Sequence, residues 1–573
     1  MKRFFNNLKR SDLSKGRTSL GIYLLIIILV SLFGVRALFH SGFYTSHDGE
    51  HQILRLYHFD KAIKDGQIPP RWASNQMLNG YGYPLFIFSY QAPWIIAEPL
   101  RLVGLSLTNT VKIVFILTYL FSGLFMFLWL KKIFGRLPAL TGSVLYLWAP
   151  YRFSNIFVRA SLGEATALMF VPLVFYGLEQ LNEKRSLKGI LIGGLGVCGL
   201  ILSHAMVAFI FVFPIFVYFI IDFLASKKKK LYFKKTSLLF LLGSAFSAYY
   251  ILPALFEKKY TRFSKIFPSM FTSHFVTLKQ LLYSRWGYGF SLPGIENDEM
   301  AFQIGISHWL VLVFTMILLG WIFLIKKKLK VAEKRNIFKS IGFIFSFLFS
   351  VLMMMEISNP IWRLLTRFIP FDFPWRFLGL AVFSLSFLSS FVVWLLKKFT
   401  NKKLAFLICL VLLALAFYGN RNHLRVNQYL DHDDVYYEKI TNSTTSYDEF
   451  LSIWLKQKID QPPKNTVEVL KGKVLIQDLK QESDKISFRI ETKEKDVDLR
   501  INTLFFPGWK LFINGKKHQF NFERSGLIDF NPPVGQSEAL LIFDKTITRM
   551  ISEVISFSAL SLVILWLLKF QWQ

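Results

Sequence analysis

Two carboxylates and two imidazoles fall within five residues in His47-Asp48-Gly49-Glu50-His51. The stretch follows the first long apolar segment, where hydrocarbon gives way to water. Carboxylates at a membrane edge are costly to desolvate, so a cluster kept there points to chemistry. Asp48 is a candidate general base. Partial burial raises a carboxyl pKa towards neutrality, where the group can take a proton from a hydroxyl. The competing role is a helix N-cap, because Asp48 stands before an amphipathic run that carries His51, Arg55 and His58 between apolar residues. His47 and His51 are four apart and could share a helical face, as zinc-ligand pairs do, although Glu50 is not placed as in a metalloprotease helix. Asp48 with Glu50 also suits a hard divalent cation, which the pair alone does not specify.

A second group of charges lies further on. Arg152 follows Ala149-Pro150-Tyr151, and Arg159 and Glu164 flank Ala160-Ser161-Leu162-Gly163. The planar guanidinium fork matches phosphate oxygens. Interfacial snorkelling is the plainer role for Arg152. It suits Glu164 less well, since that residue opens an apolar run. His204 sits between two apolar runs, and Arg376 follows Phe373-Pro374-Trp375 at the start of another. Each alone reads as an interface residue. Their common assignment to one membrane face points to a shared site.

The elements that must position these residues are membrane helices. Of 573 residues, 53% are hydrophobic and 17% aromatic, and repeated apolar runs are long enough to cross about 30 Å of hydrocarbon. Twelve segments qualify: 20–39, 110–130, 137–152, 164–181, 188–204, 206–224, 236–256, 307–325, 337–356, 376–396, 403–419 and 550–569. The first follows a basic stretch but is long and lacks a cleavage pattern, so it reads as a retained helix. A thirteenth stretch, 83–103, contains Pro84, Pro93, Glu98, Pro99 and Arg101 and reads as re-entrant or interfacial. The net charge of +31 resides largely in short clusters between the runs, at Lys131-Lys132, Lys184-Arg185, 227–230, 326–328 and Lys397-Lys398. The positive-inside rule makes these cytoplasmic loops, which accounts for the charge without nucleic acid. Cys198 and Cys409 both lie in apolar runs, which argues against a disulfide framework or a cysteine zinc site.

Alternating the twelve segments leaves outer loops at 40–109, 153–163, 257–306 and 357–375. The expected organisation is a transmembrane domain over 1–419, an extracytoplasmic β-rich domain over 420–548 and a terminal transmembrane helix over 549–573. Strand-like alternation marks Lys473-Val474-Leu475-Ile476, 486–490 and 539–543, and Asn514-Gly515 is a hairpin signal. These features predict a β-sandwich-like domain with a helical lead-in at 446–458.

At these residues the chain resembles known families. An acidic first outer loop, many helices and a terminal outer β-domain resemble the GT-C glycosyltransferases. HDGEHQILRLYHFDKAIKDGQIPPRW, GYGYPLFIFSYQAP, APYRFSNIFVRASLGE and FPWRFL resemble the bacterial 6-pyruvoyl-tetrahydropterin-synthase-related membrane family, a label that does not denote pterin chemistry. FFPGWKLFINGK resembles YfhO-type proteins, which are implicated in glycosylating lipoteichoic acid. The likeness implies a GT-C-like polytopic fold of twelve or thirteen helices in the cell membrane, with its site and β-domain outside. It also implies inverting transfer of a sugar from a polyprenyl-phosphate donor to an envelope glycan, a teichoic-acid-type polymer or a lipid. Asp48 matches the GT-C acidic base, Glu50 stands where many members have a second Asp, and Glu164 is a weaker match to an acidic residue on the next outer loop. The resemblance implies donor-phosphate roles for Arg152, Arg159 and Arg376, with His204 beside them, and support from His47, His51 and Arg55. It fixes no cofactor. Trp509 of the β-domain could stack on a sugar or fill its core.

Two other classes fit the same sequence. A transporter or flippase of lipid-linked saccharides would place polar groups at the midplane on broken helices and often show repeated halves. No repeat is visible here, and the polar residues gather at one face. A non-catalytic scaffold for envelope assembly would use the β-domain for a partner and leave the acidic loop idle.

Overall fold

The computed structural model describes residues 20–571, apart from 75, 184–185, 267–269, 294–297, 325–328, 368–370, 443, 446 and 457. The basic stretch before residue 18, Lys184-Arg185 and 326–328 lie outside the described residues.

Ten helices among the described residues are long and apolar enough to cross a membrane. They are Leu107–Phe134, Leu162–Gln180, Ser186–Ser203, Ala205–Ala225, Lys229–Tyr260, Ile306–Leu324, Val331–Met354, Pro374–Phe399, Lys402–Asn420 and Ile547–Leu568. Each falls on one of the twelve expected apolar segments. The other two segments form shorter helices, Leu20–Gly34 and Arg136–Leu147. After Leu147 the chain continues as a turn of helix at Pro150–Phe153 and a π-helical turn at Ser154–Val158. The stretch 83–103 forms only Leu85–Phe88 and Ala92–Leu102, too short to span.

The chain divides into two compact units. The first takes in residues up to 49, 112–244 and 270–430. Its central element is Leu378–Phe399, whose side chains are buried nearly throughout. Against it lie 331–354, 136–147, 306–324 and 402–420. A helix surrounded by helices can be apolar on every face and can carry small polar residues inward, as Ser384, Ser386, Ser389 and Ser390 do here. Leu162–Gln180 and Ser186–Ser203 form a tight antiparallel pair. A Cβ on Gly177 would meet the Gly193 Cα at 2.4 Å, so only glycine allows the approach. The hairpin brings His204, at the end of its second helix, back beside the start of the first.

The second unit comprises 50–111, 245–269 and 431–573. It therefore gathers most of the expected first outer loop with the β-domain and the terminal helix. Eight strands form two sheets: β1 Val467–Lys471, β2 Leu475–Gln481, β3 Lys485–Thr492, β4 Asp498–Leu504, β5 Trp509–Ile513, β6 Lys516–His518, β7 Leu527–Phe530 and β8 Gly535–Phe543. One sheet has the order β2-β3-β8-β5-β6 and the other β1-β4-β7. Alternate residues point inward, and Phe488 of one sheet meets Phe530 of the other with ring centroids 6.5 Å apart. The Asn514-Gly515 turn takes φ of 50° and 74°, the geometry that favours this dipeptide.

The expected lead-in helix at 446–458 does not form among the described residues, which run through turns and one bridge. Tertiary contacts override its helical pattern: Phe450 stacks on Phe88 and Phe263, and Trp454 meets Tyr260, Phe505 and Phe522. Trp509 is a core aromatic, 4% exposed, with its ring 5.2 Å from Trp72.

Candidate active site

The site in the first unit is built around Glu164. This residue sits in the first turn of Leu162–Gln180, where the helix N-terminus favours a negative charge. It is 1% exposed, so its charge must be met by protein. Arg159 Nη1 and Arg376 Nη1 each donate to Oε2 at 2.8 Å, and the Tyr151 hydroxyl donates to Oε1. Arg376 in turn holds Asp372 through Nε at 2.8 Å and Nη2 at 2.7 Å. Burial raises the Asp372 carboxyl, but the bidentate guanidinium outweighs it and keeps the group below the usual carboxylate range. Two arginines thus meet two carboxylates in a neutral cluster.

Arg159 joins this cluster to the acidic loop. Its carbonyl accepts from the Asp48 backbone N–H at 2.9 Å, and the Val158 carbonyl accepts from His47 N–H at 3.1 Å. The chain then turns at buried Ala160, whose φ of 50° is a left-handed conformation costly for a residue with a Cβ. That turn lets one residue present its carbonyl to Asp48 and its side chain to Glu164. The Arg159 and Arg376 ion pairs go to Glu164 and Asp372, not to Asp48. Asp48 is half-buried and close enough to His47 to favour its protonated form. Burial first, and then Arg159, nevertheless push the His47 imidazole below its ordinary range. Its Nε2 lies 2.9 Å from the Gly289 carbonyl and so carries the proton, while the ring stacks on Phe290 at 4.3 Å.

The arginine cluster is walled by aromatics. Arg159 lies over the Trp375 ring at 4.6 Å, and Arg376 over Phe373 at 5.3 Å. The Trp375 indole N–H is buried with no hydrogen-bond partner among the described residues. Arg152 is placed differently. It is 2% exposed, donates to Ser122 Oγ at 2.8 Å and lies over Tyr119 and Tyr146, so it neither snorkels nor joins the Glu164 cluster. Its Nε and Nη1, with Ser154 Oγ and both amide atoms of Asn155, make no hydrogen bond among the described residues. The His204 Nδ1 accepts from Val207 N at 3.4 Å as an N-cap, and the imidazole feels the charges of Arg376 and Glu164.

The remaining expected residues belong to the second unit. Glu50 is exposed in the first turn of the helix Gly49–Lys64. His51 follows it, half-buried. Arg55 is fastened to Thr444, through Oγ1 at 3.3 Å and the carbonyl at 2.5 Å, and to the Tyr90 hydroxyl at 3.3 Å. Among the described residues no group of three His, Cys, Asp or Glu side chains is arranged to hold a metal ion.

Sequence reasoning missed Tyr151, Asp372 and the carbonyls at 288–289. Asp372 was open to discovery as an acid four residues before Arg376. The others carry no signal, since a backbone carbonyl is common to every residue and Tyr151 resembles an interfacial aromatic.

A curated protein of Lactococcus lactis subsp. cremoris strain MG1363, described as uncharacterized, is 26% identical over 193 residues, or 32% of this chain and 31% of that protein. The chain thus spans less than a third of the relative it matches. Among solved structures, arabinofuranosyltransferase AftD from Mycobacteria aligns at a TM-score of 0.44 and 14% identity, covering 73% of this chain and 28% of AftD. The apo oligosaccharyltransferase of Archaeoglobus fulgidus aligns at 0.42 and 12%, covering 70% and 55%. A family model matches residues 88–422, more than half of the chain and including Arg152, Arg159, Glu164, His204 and Arg376. The chain belongs to the family described as the 6-pyruvoyl-tetrahydropterin synthase related domain, a family of membrane proteins.

Proposed function

We propose that this protein is an integral-membrane glycosyltransferase that moves a sugar from a polyprenyl-phosphate donor to a hydroxyl acceptor outside the cell. One observation carries the proposal. The buried Glu164–Arg159–Arg376 cluster fastens the Asp48 loop through the Arg159 main chain, while Asp48 itself stays out of the arginines' ion pairs. A half-buried carboxylate on a loop tied to an organised arginine–carboxylate cluster suits a base working next to an anionic leaving group.

In the proposed reaction Asp48 takes the acceptor hydroxyl proton as its oxygen bonds to the anomeric carbon. The bond from that carbon to the donor phosphate oxygen breaks, and polyprenyl phosphate leaves with the electron pair. Attack opposite the phosphate inverts the anomeric centre. Arg159, which spends one nitrogen on Glu164, and Arg376 meet the developing phosphate charge, and the Trp375 N–H is a spare donor nearby. Glu164 acts as a positioning residue, because Arg159, Arg376 and Tyr151 already occupy its two oxygens. Arg152 and His204 shape the surroundings without touching donor. Glu50, His51 and Arg55 have no assigned step, and no step is routed through a metal.

A lipid donor also needs a berth for its chain. An apolar furrow of about 490 Å³ is lined by Leu29, Val30, Phe33, Trp148 and Phe417, with Arg36 and Arg421 in the same lining. An isoprenoid chain lying against these apolar and aromatic side chains would match that lining.

The test is transfer in proteoliposomes carrying a panel of polyprenyl-phosphate hexoses and a glycolipid acceptor. Asp48→Asn is expected to lower transfer at least about a hundredfold, within the range for loss of a general base, with donor binding retained. Full activity of this variant would remove Asp48 as the base. Movement of labelled donor between leaflets without transfer would establish the transporter reading instead.

A further inference from the structure

The helix that carries Glu164 near its start carries Glu179 near its end, fifteen residues later and about 22 Å along the axis. This opposite end of the first unit has its own charge cluster. Lys339 is fully buried and donates to Glu179 at 2.5 Å and to the Tyr218 oxygen at 2.7 Å. Arg335 holds Asp222 bidentately, at 2.7 and 2.8 Å, and reaches Glu179 at 3.1 Å. Two cations meet two carboxylates, and the network is balanced.

Beside it opens a cavity of about 530 Å³ that is not balanced. Its lining includes Lys227, Lys228, Lys235, Arg335, Tyr232 and Asn182. The Arg335 charge is met by Asp222, but none of the three lysines has an acidic partner among the described residues. The Tyr232 hydroxyl is buried and makes no well-formed hydrogen bond among the described residues. Leu231 and Val331 line the same cavity and are 44% and 76% exposed, which supplies an apolar flank beside the cations. Cations, hydroxyl and amide around a hollow, with apolar side chains next to it, match a phosphate-bearing headgroup whose chains lie against the helices.

We propose that this cavity binds the headgroup of an anionic phospholipid at the membrane face opposite Glu164. Lys227, Lys228 and Lys235 supply the charge, and the Arg335–Asp222 pair forms a rigid floor. The site is separate from the candidate active site and does not depend on the proposed reaction.

The experiment measures thermal stability of the full chain in detergent against added phosphatidylglycerol, phosphatidylcholine or inorganic phosphate. Phosphatidylglycerol is expected to raise Tm saturably and phosphatidylcholine to leave it unchanged. The K227Q/K228Q/K235Q variant should need at least about tenfold more phosphatidylglycerol for the same rise. These exposed or half-buried lysines can lose charge without unfolding the bundle, and K397Q/K402Q/K403Q, three exposed lysines elsewhere in the first unit, serves as the charge-matched control. A rise with inorganic phosphate alone, lost in the triple variant, would overturn the lipid source and leave a site for free phosphate. An unchanged response in the triple variant, or an equal loss in the control, would overturn the site.

Discussion

Glu164 is the residue on which the site's charge balance turns. Replacing it with Gln leaves Arg159 and half of the Arg376 fork facing a neutral amide in a buried place. Losing one partner of a buried pair costs about 3–5 kcal/mol. Glu164→Gln is therefore expected to lower Tm by several degrees and to weaken the hold of Arg159 on the Asp48 loop. In the proposed enzyme both kcat and donor KM should worsen, whereas Asp48→Asn should lower kcat alone. His47 makes a pH prediction. Its folded pKa lies below the ordinary value of about 6.5, so between those two values the unfolded chain binds the extra proton. The contribution of His47 is complete above about pH 6.5 and is lost as pH falls towards its lowered value. The wild-type-minus-His47→Gln difference in Tm should accordingly shrink on acidification; a difference independent of pH would exclude a titrating His47. The charged members of this site were legible in the sequence because Asp48, Arg159, Glu164 and Arg376 are polar residues where apolar segments begin or end. Arg152 stands in the same kind of position, yet aromatic rings enclose it. Only tertiary structure separates that case from the others.

Elements in this molecule are joined by buried ion pairs where apolar packing alone would not set a register. In the second unit Arg549, 1% exposed at the start of the terminal helix, binds Glu257 through Nε at 3.0 Å and Nη2 at 2.7 Å. One helical turn further on, Glu553 accepts from Arg71, which also donates to the Tyr249 carbonyl at 2.7 Å. The motif around Ile68-Pro69-Pro70-Arg71-Trp72, suggestive in sequence, is thus a fastener: Arg71 grips the terminal helix and Trp72 packs on Trp509. Arg549→Met is expected to cost about 3–5 kcal/mol, because it strands the Glu257 charge. The double change Arg549→Met with Glu257→Leu should recover much of that loss. Equal Tm values for the single and double variants would show that the pair's charge is immaterial. Helix existence and strand pairing at Asn514-Gly515 were readable because periodicity and turn chemistry are local. The stretch 446–458 was not, since Phe450 and Trp454 spend their side chains on distant rings instead of on one helical face. The grouping of 50–111 with the β-domain was equally hidden, for the pairs that bind them join residues hundreds of positions apart.

At the scale of the whole chain, sidedness decides whether these local arguments share one compartment. The described clusters Lys131-Lys132 and Lys397-Lys398 end long helices, and 227–230 joins two others. The positive-inside rule would place them together in the cytoplasm. Counting Leu20–Gly34 and the broken stretch 136–158 as crossings puts the Asp48 loop, Arg159, Arg376 and the β-domain on the other side. A crossing by 83–103 would reverse everything after it, including the lysine clusters. Cys198 and Cys409 are the two native cysteines, both within helices, so replacing them with serine gives a background for thiol labelling. Exposed positions then report each loop: Ser41→Cys and Lys493→Cys for the proposed outer face, Lys229→Cys and Asn401→Cys for the inner. A membrane-impermeant maleimide is expected to label the first two on intact cells and the second two only after permeabilisation. Labelling of Ser41→Cys together with Asn401→Cys on intact cells would instead make 83–103 a crossing. That outcome would put Asp48 and Arg159 on opposite sides of the membrane, against the 2.9 Å bond from the Asp48 N–H to the Arg159 carbonyl, and would overturn the shared site.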